Sequence, residues 1–244
     1  MPVMHRPSRL TVALLACIAG GIPAARASAA EKPQRVLCIG DSITAADGSW
    51  AAIVGEHPEI DTINAGKGGR QTGAAADTFQ AAVDAGEDFD RVIFFLGVNN
   101  LPGRDPRPAD RKLAGCVADM GRAIDLALRT LDPQDVILVA PCSVNPTIMR
   151  QPCEADPRMT QRRERNLKKG YDICQPMLAQ LEAEYRKLAA TKRVRFVSVL
   201  EAVSPGNFPD GLHPNADGQR QIAAVIAPAL LEATRPRKAV PAGR

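Results

Sequence analysis

The chain has 244 residues, 45% of them hydrophobic and 4% aromatic, with 31 Lys and Arg set against 27 Asp and Glu. That composition excludes a disordered, collagen-like or low-complexity protein and suits a globular domain with a sizeable core. Arg6, Arg9 and Arg26 fall in the first 29 residues, which carry no acid, so without that stretch 31 basic residues drop to 28 against 27 acidic ones; this near-neutral balance gives no reason to expect a nucleic-acid partner.

The first 29 residues read as a secretory signal peptide. Arg6 and Arg9 form a basic start, residues 10–22 an apolar stretch, and Ala27-Ser28-Ala29 a small-x-small cleavage site. Leu14-Leu15-Ala16-Cys17 also resembles a bacterial lipobox, so a lipid anchor on Cys17 is the alternative to cleavage after Ala29. No other apolar run is long enough to cross a bilayer. The expectation is a secreted or periplasmic protein with no membrane span. One domain is expected over residues 30–234, followed by a basic, aperiodic tail at 235–244.

Strand and helix signals then alternate. Val36-Leu37-Cys38-Ile39 is a short apolar run closed by Gly40-Asp41-Ser42, the pattern of a strand buried on both faces. Residues 49–54 can form a helix and 60–64 a second strand. Further strands fit 92–96, 136–140 and 194–200. Leu113, Val117, Met120, Ile124 and Leu128 keep helical spacing, as do Cys174, Met177, Leu181, Tyr185 and Leu188. A last helix, capped by Asn215 and kinked at Pro228, carries Ile222, Val225, Ile226, Ala229 and Leu230 on one face. Alternation of this kind predicts an α/β fold: a parallel sheet with helices on both faces.

Five of the six cysteines come after the signal stretch. Cys142 and Cys153 bracket a Pro- and Asn-containing loop and are the candidate disulfide, worth roughly 2–3 kcal/mol in the chain-entropy model. Cys38 reads as a buried small hydrophobe; Cys116 and Cys174 are core thiols or a second pair. Three histidines and no Cys/His cluster of zinc spacing leave no metal or other cofactor to expect.

Polar residues and glycines come directly after the strands. In a parallel sheet the turns after the strands share one edge, which collects Gly40-Asp41-Ser42, Asn64 through Gly69, Gly97-Val98-Asn99-Asn100 and Asp210-Gly211-Leu212-His213. The chemistry those groups suit is acyl transfer. Ser42 needs a base to become a nucleophile, and His213 is the histidine so placed. Asp210, three residues before it, can hold the other ring nitrogen. Oxyanion donors are available from the Ser42 backbone N–H, an N–H in the Gly66–Gly69 turn and the Asn99 amide.

GDSIT at 40–44, the Asn64 to Gly69 turn, GVNN at 97–100 and DGLHPNADGQRQIA from Asp210 resemble, in order, the four sequence blocks of the SGNH (GDSL-type) hydrolases. The resemblance runs from Arg35 to the final helix. It implies a flavodoxin-like three-layer α/β/α sandwich with a mostly five-stranded parallel sheet. It further implies a catalytic triad of Ser42, Asp210 and His213, with Ser42, Gly69 and Asn99 as the oxyanion hole. Gly69 is chosen over Gly66 and Gly68 because N-x-x-x-x-G-R resembles the block of the family's carbohydrate acetylesterases. One departure is Asn100, where the third block usually has Asp.

The expected function is hydrolysis of short-acyl esters, O-acetyl groups on carbohydrates included, by a monomer acting on a small-molecule or glycan ester. A lysophospholipase or thioesterase is the enzymatic alternative, and a non-catalytic carbohydrate-binding domain the other. The seven Lys and Arg of residues 150–169 read as a solvated helix face before an acidic-polysaccharide site. Trp50 reads as packing at a helix start before a sugar platform, and Asp41 as a turn or cap acceptor.

Overall fold

A computed structural model describes residues 32–103 and 106–232. The signal peptide expected at 1–29 and the tail expected at 235–244 lie outside the described residues. Five strands, β1 (Gln34–Gly40), β2 (Ile60–Asn64), β3 (Arg91–Phe95), β4 (Val136–Ala140) and β5 (Arg195–Ser198), pair in parallel in the order β2-β1-β3-β4-β5. This is the flavodoxin-like order, whose chain direction across the sheet reverses between β1 and β3. Gly40 at the end of β1 lies beside Phe95 at the end of β3, so the segments leaving both strands emerge together at that switch point.

Alternate side chains of the same strand enter two separate apolar layers, as the pleat requires. Leu37, Ile39, Val92, Phe94 and Leu138 pack against α3 (Ala75–Asp84), α4 (Ala109–Ala127) and α7 (Gln175–Lys192). Val36, Cys38, Ile93, Phe95, Ile137 and Val139 pack against α2 (Trp50–Val54) and α8 (Ala216–Leu231). The result is the expected three-layer sandwich. Trp50 is fully buried in the second layer, 5.8 Å from the Phe95 ring, and its indole N–H donates to Thr44 Oγ1 at 3.1 Å. Truncating a side chain of that size in a closed core costs roughly 3–5 kcal/mol. Its role is packing, with no face left for a sugar.

Three details differ from the sequence expectation. Strand β5 is shorter than 194–200: its partner β4 ends at Ala140, opposite Ser198, so Val199 and Leu200 have no strand left to pair with. Helix α3 was not expected, because its buried positions are Ala75 and Phe79 and its apolar signal rests mainly on alanines. The expected Cys142–Cys153 disulfide is not formed; both are free thiols. Cys142 is buried in the layer facing α8, whereas Cys153 lies beyond α5 (Pro146–Met149). There its N–H donates to Thr160 Oγ1 at 2.8 Å, and that hydroxyl donates to the Cys153 carbonyl at 3.1 Å. The two ends of one loop are therefore drawn to different neighbours. Cys38, Cys116 and Cys174 are buried thiols as well.

Candidate active site

Ser42 opens α1 (Ser42–Ala45), a single turn that continues directly from β1. Asp41 caps it, its Oδ1 accepting from the Ile43 N–H at 2.9 Å, as expected of a cap acceptor. So short a helix leaves carbonyls without internal partners. The Asn64 side-chain amide donates to the Thr44 carbonyl at 2.8 Å, and that of Gln219 to the Ile43 carbonyl at 3.1 Å. The serine is thus clamped from β2 on one side and α8 on the other.

The Asp210–His213 turn arrives from the far end of the chain. Asp210 Oδ1 accepts from the Leu212 N–H at 2.9 Å and the His213 N–H at 2.7 Å, which folds the segment into a tight turn. Gly211 takes φ +78°, and a Cβ there would lie 2.2 Å from Met149 Cγ, so only glycine fits. Asp210 Oδ2 lies 2.7 Å from His213 Nδ1. An ionised carboxylate can only accept, so Nδ1 carries the proton and Nε2 is left as an acceptor. Ser42 Oγ lies 3.0 Å from that Nε2 and donates to it.

Asp210 is 1% exposed. Burial works to raise its pKa, but the hydrogen bond and charge of His213 and the two backbone donors outweigh it and hold the carboxyl at about 2. It therefore remains a carboxylate facing the imidazole. Asp41, equally buried, has no such compensation. Burial lifts it to about 6, and the Ile43 N–H, His213 and Arg70 only partly offset the rise.

The Gly66–Gly69 turn crosses close to the serine helix: a Cβ on Gly66 would sit 2.4 Å from the Ala45 nitrogen. Lys67 N–H donates to the Gly40 carbonyl at 3.1 Å, tying the turn to the end of β1. Arg70 Nη1 donates to the same carbonyl at 3.1 Å and also to the Ala65 carbonyl. Gly69, at φ +74°, stands exposed at the tip. Asn99 lies across from it, its Nδ2 donating to the Arg70 carbonyl at 3.1 Å. Asn100 uses both ends of its amide on one residue: Oδ1 accepts from the Thr72 N–H at 3.0 Å and Nδ2 donates to Thr72 Oγ1 at 2.9 Å. Thr72 in turn donates to Asp119 at 2.7 Å. An aspartate at position 100 could accept the first bond but not make the second, so the departure from the usual block is accommodated by Thr72.

Four residues of this region were not singled out from the sequence. The Tyr171 hydroxyl donates to Asn99 Oδ1 at 2.5 Å. From α6 (Pro157–Lys169), Arg162 approaches Asp210 Oδ2 at 3.2 Å and Asn166 Nδ2 donates to the Asp210 carbonyl at 3.1 Å. Arg163 Nε donates to the Pro209 carbonyl at 2.9 Å. The basic stretch of 150–169 is therefore partly a brace for the Asp210 turn and not only a solvated face. The one hint in the sequence was that basic stretch, which holds Arg162 and Arg163; nothing in the sequence marked Asn166 or Tyr171.

Among the described residues no three His, Cys, Asp or Glu side chains gather to hold a metal ion, and no helix is long and apolar enough to cross a membrane. The GDSL-like lipase/acylhydrolase family model matches residues 38–221. No curated protein matches the chain at a significant level. Among solved structures, a carbohydrate acetylesterase from Sinorhizobium meliloti superposes with a TM-score of 0.61 at 18% identity, over 81% of this chain and 98% of that one. A lipase/acylhydrolase from Enterococcus faecalis gives 0.58 at 20% identity, over 84% and 100%. The aryl esterase of M. smegmatis gives 0.61 at 18% identity, over 81% and 98%. At such identities the likenesses speak for the fold; the family match, spanning most of the length and all four polar turns, shows that this chain belongs to the GDSL-like lipase/acylhydrolase family.

Proposed function

We propose that the chain is an exported serine esterase whose catalytic domain, residues 30–234, cleaves short-acyl esters through Ser42, His213 and Asp210. The observation that carries this reading is the hydrogen-bonded chain from Ser42 Oγ through His213 to the buried Asp210 carboxylate. In the reaction Oγ attacks the ester carbonyl and its proton passes to Nε2. The alcohol then leaves with that proton, giving an acyl-enzyme. Water attacks the acyl carbon, again losing a proton to Nε2, and the acid is released as Ser42 is reprotonated. Asp210 keeps the ring in the required tautomer and stabilises the imidazolium formed at each step. The backbone N–H groups of Ser42 and Gly69 and the Asn99 amide receive the oxyanion.

A short acyl group is supported by what the neighbouring segments leave available. Leu101, Val144, Met149, Phe208 and Leu212 are buried, turned into the two apolar layers. Half-buried Ile148 and exposed Ile173 stay outside those layers, too little to line a long acyl tunnel. A groove of about 460 Å³ beside the Gly69 turn is bordered by Lys67, Gln71, Asp77 and Thr78. Ala74 and Ala81 line it as well, and its polar side chains offer hydrogen bonds to a hydroxyl-bearing alcohol such as an O-acetylated sugar. The test is covalent labelling: a fluorophosphonate should modify Ser42 alone, and Ser42→Ala should lose both label and turnover. Label at another residue, or a Ser42→Ala variant that still turns over, would refute the mechanism.

A further inference from the structure

The amide of Asn99 is useful to an oxyanion in one orientation only. If its carbonyl faced the substrate, like charges would meet. Each of its two ends is held by a different segment. The Arg70 carbonyl can only accept, so it faces Nδ2, and it uses one of the two N–H bonds. Oδ1, on the other side, accepts from the Tyr171 hydroxyl at 2.5 Å, a short bond for neutral partners. The second N–H of Asn99 is taken by neither partner, and on the proposed reading it is the one that meets the oxyanion.

We infer that Tyr171 is a positioning residue for the oxyanion hole, holding the Asn99 amide in its donating orientation and polarising it. The inference rests on the reading of Asn99 as an oxyanion donor. Donation to an amide oxygen draws electron density from its nitrogen, so the remaining N–H becomes a better donor as negative charge develops. Tyr171 is well placed for this work. It starts the turn Tyr171–Ile173, which comes after the left-handed Gly170 at the end of α6. The Gly103 N–H donates to the Gly170 carbonyl at 3.1 Å, and Arg150 pairs with Asp172 at 2.8 Å. Tyr171 itself is 5% exposed. Burial pushes its pKa up to about 12, so the hydroxyl keeps its proton across the working pH range. The same helix thus presents Arg162 and Asn166 to the acid of the triad and delivers Tyr171 to the oxyanion side.

The experiment is a double-mutant cycle in the full mature chain, read as kcat and KM for p-nitrophenyl acetate. Asn99→Ala should lower kcat by roughly 10²–10³ with little change in KM. Tyr171→Phe, which keeps the ring packed, should lower kcat about tenfold at unchanged KM. The double variant should be no slower than Asn99→Ala, since a hydroxyl that acts through Asn99 has nothing to act on once the amide is gone. Multiplying losses, a rise in KM alone, or no effect of Tyr171→Phe would each overturn the role of Tyr171 while leaving that of Asn99 intact. A silent Asn99→Ala would overturn both. As a second measurement that keeps the hydroxyl, 3-fluorotyrosine at 171 should hold kcat at or above that of the parent, and a clear fall would count against the polarising bond.

Discussion

Two buried carboxyl groups adjoin the Ser42–His213 pair, and their surroundings drive them in opposite directions. Asp210, at about 2 against a usual 3.8, is depressed. It contributes stability above pH 3.8 that is lost as pH falls towards 2, amounting to about 2 kcal/mol. Asp41, raised from 3.8 to about 6, holds its proton more tightly in the folded state. Its contribution is full below pH 3.8 and is lost as pH rises through 6, a cost at neutral pH on the order of 3 kcal/mol. The Ile43 N–H bond needs only a side-chain oxygen, which asparagine also has. Asp41→Asn should therefore be more stable than the parent at pH 7, with the gap closing towards pH 4. Urea melts across that range would show it, and equal midpoints at pH 7 would mean that Asp41 is not displaced upward.

At the level of elements, α6 is where a surface feature becomes a support. Arg162, Arg163 and Asn166 project from one side of it onto Pro209 and Asp210. Arg162 is half exposed, so its ion pair is screened by solvent and adds little to stability on its own. Asn166 is buried, and its bond to the Asp210 carbonyl fixes the backbone of the acid. Asn166→Ala is expected to cost roughly 1–3 kcal/mol of stability and to lower kcat, because the carboxylate that orients His213 loses its anchor. Exposed Lys168→Ala, on the same helix, should change stability by less than about 0.5 kcal/mol. If both variants behave alike, α6 is not a brace.

Across the whole molecule, most of the apolar residues of the segments near the site are spent on the core, Ile148 and Ile173 excepted. On the proposed short-acyl reading, this is what decides the acyl preference. Each methylene taken from water is worth about 0.8 kcal/mol, so a true acyl tunnel would favour octanoate over acetate by up to roughly 5 kcal/mol. Without one, kcat/KM should be higher for p-nitrophenyl acetate or butyrate than for the octanoate. A steady rise out to eight carbons would favour a lysophospholipase-like reading of the same triad. Such an outcome would leave the labelling of Ser42 untouched, so substrate class and mechanism are tested apart.

Much of this was legible in the amino-acid order. The segments 60–64 and 136–140 became strands with those bounds, because an extended segment between turn residues must satisfy its backbone on a neighbouring strand. Parallel pairing then sends every strand's carboxyl end to one edge, so Ser42, Asn99 and the Asp210–His213 turn could be placed together before any contact was known. Asn215 caps α8 as read, its Oδ1 accepting from the Gly218 N–H at 2.9 Å. What only the tertiary structure decided was the partner of each side chain. Cys142 and Cys153 share a loop but face different neighbours. Tyr171 meets Asn99 from 72 residues away, and Asn166 meets Asp210 from 44. The physical reason is one of range. Periodicity and turn chemistry act over a few residues, whereas the far end of a polar side chain finds its partner on whichever element packs beside it.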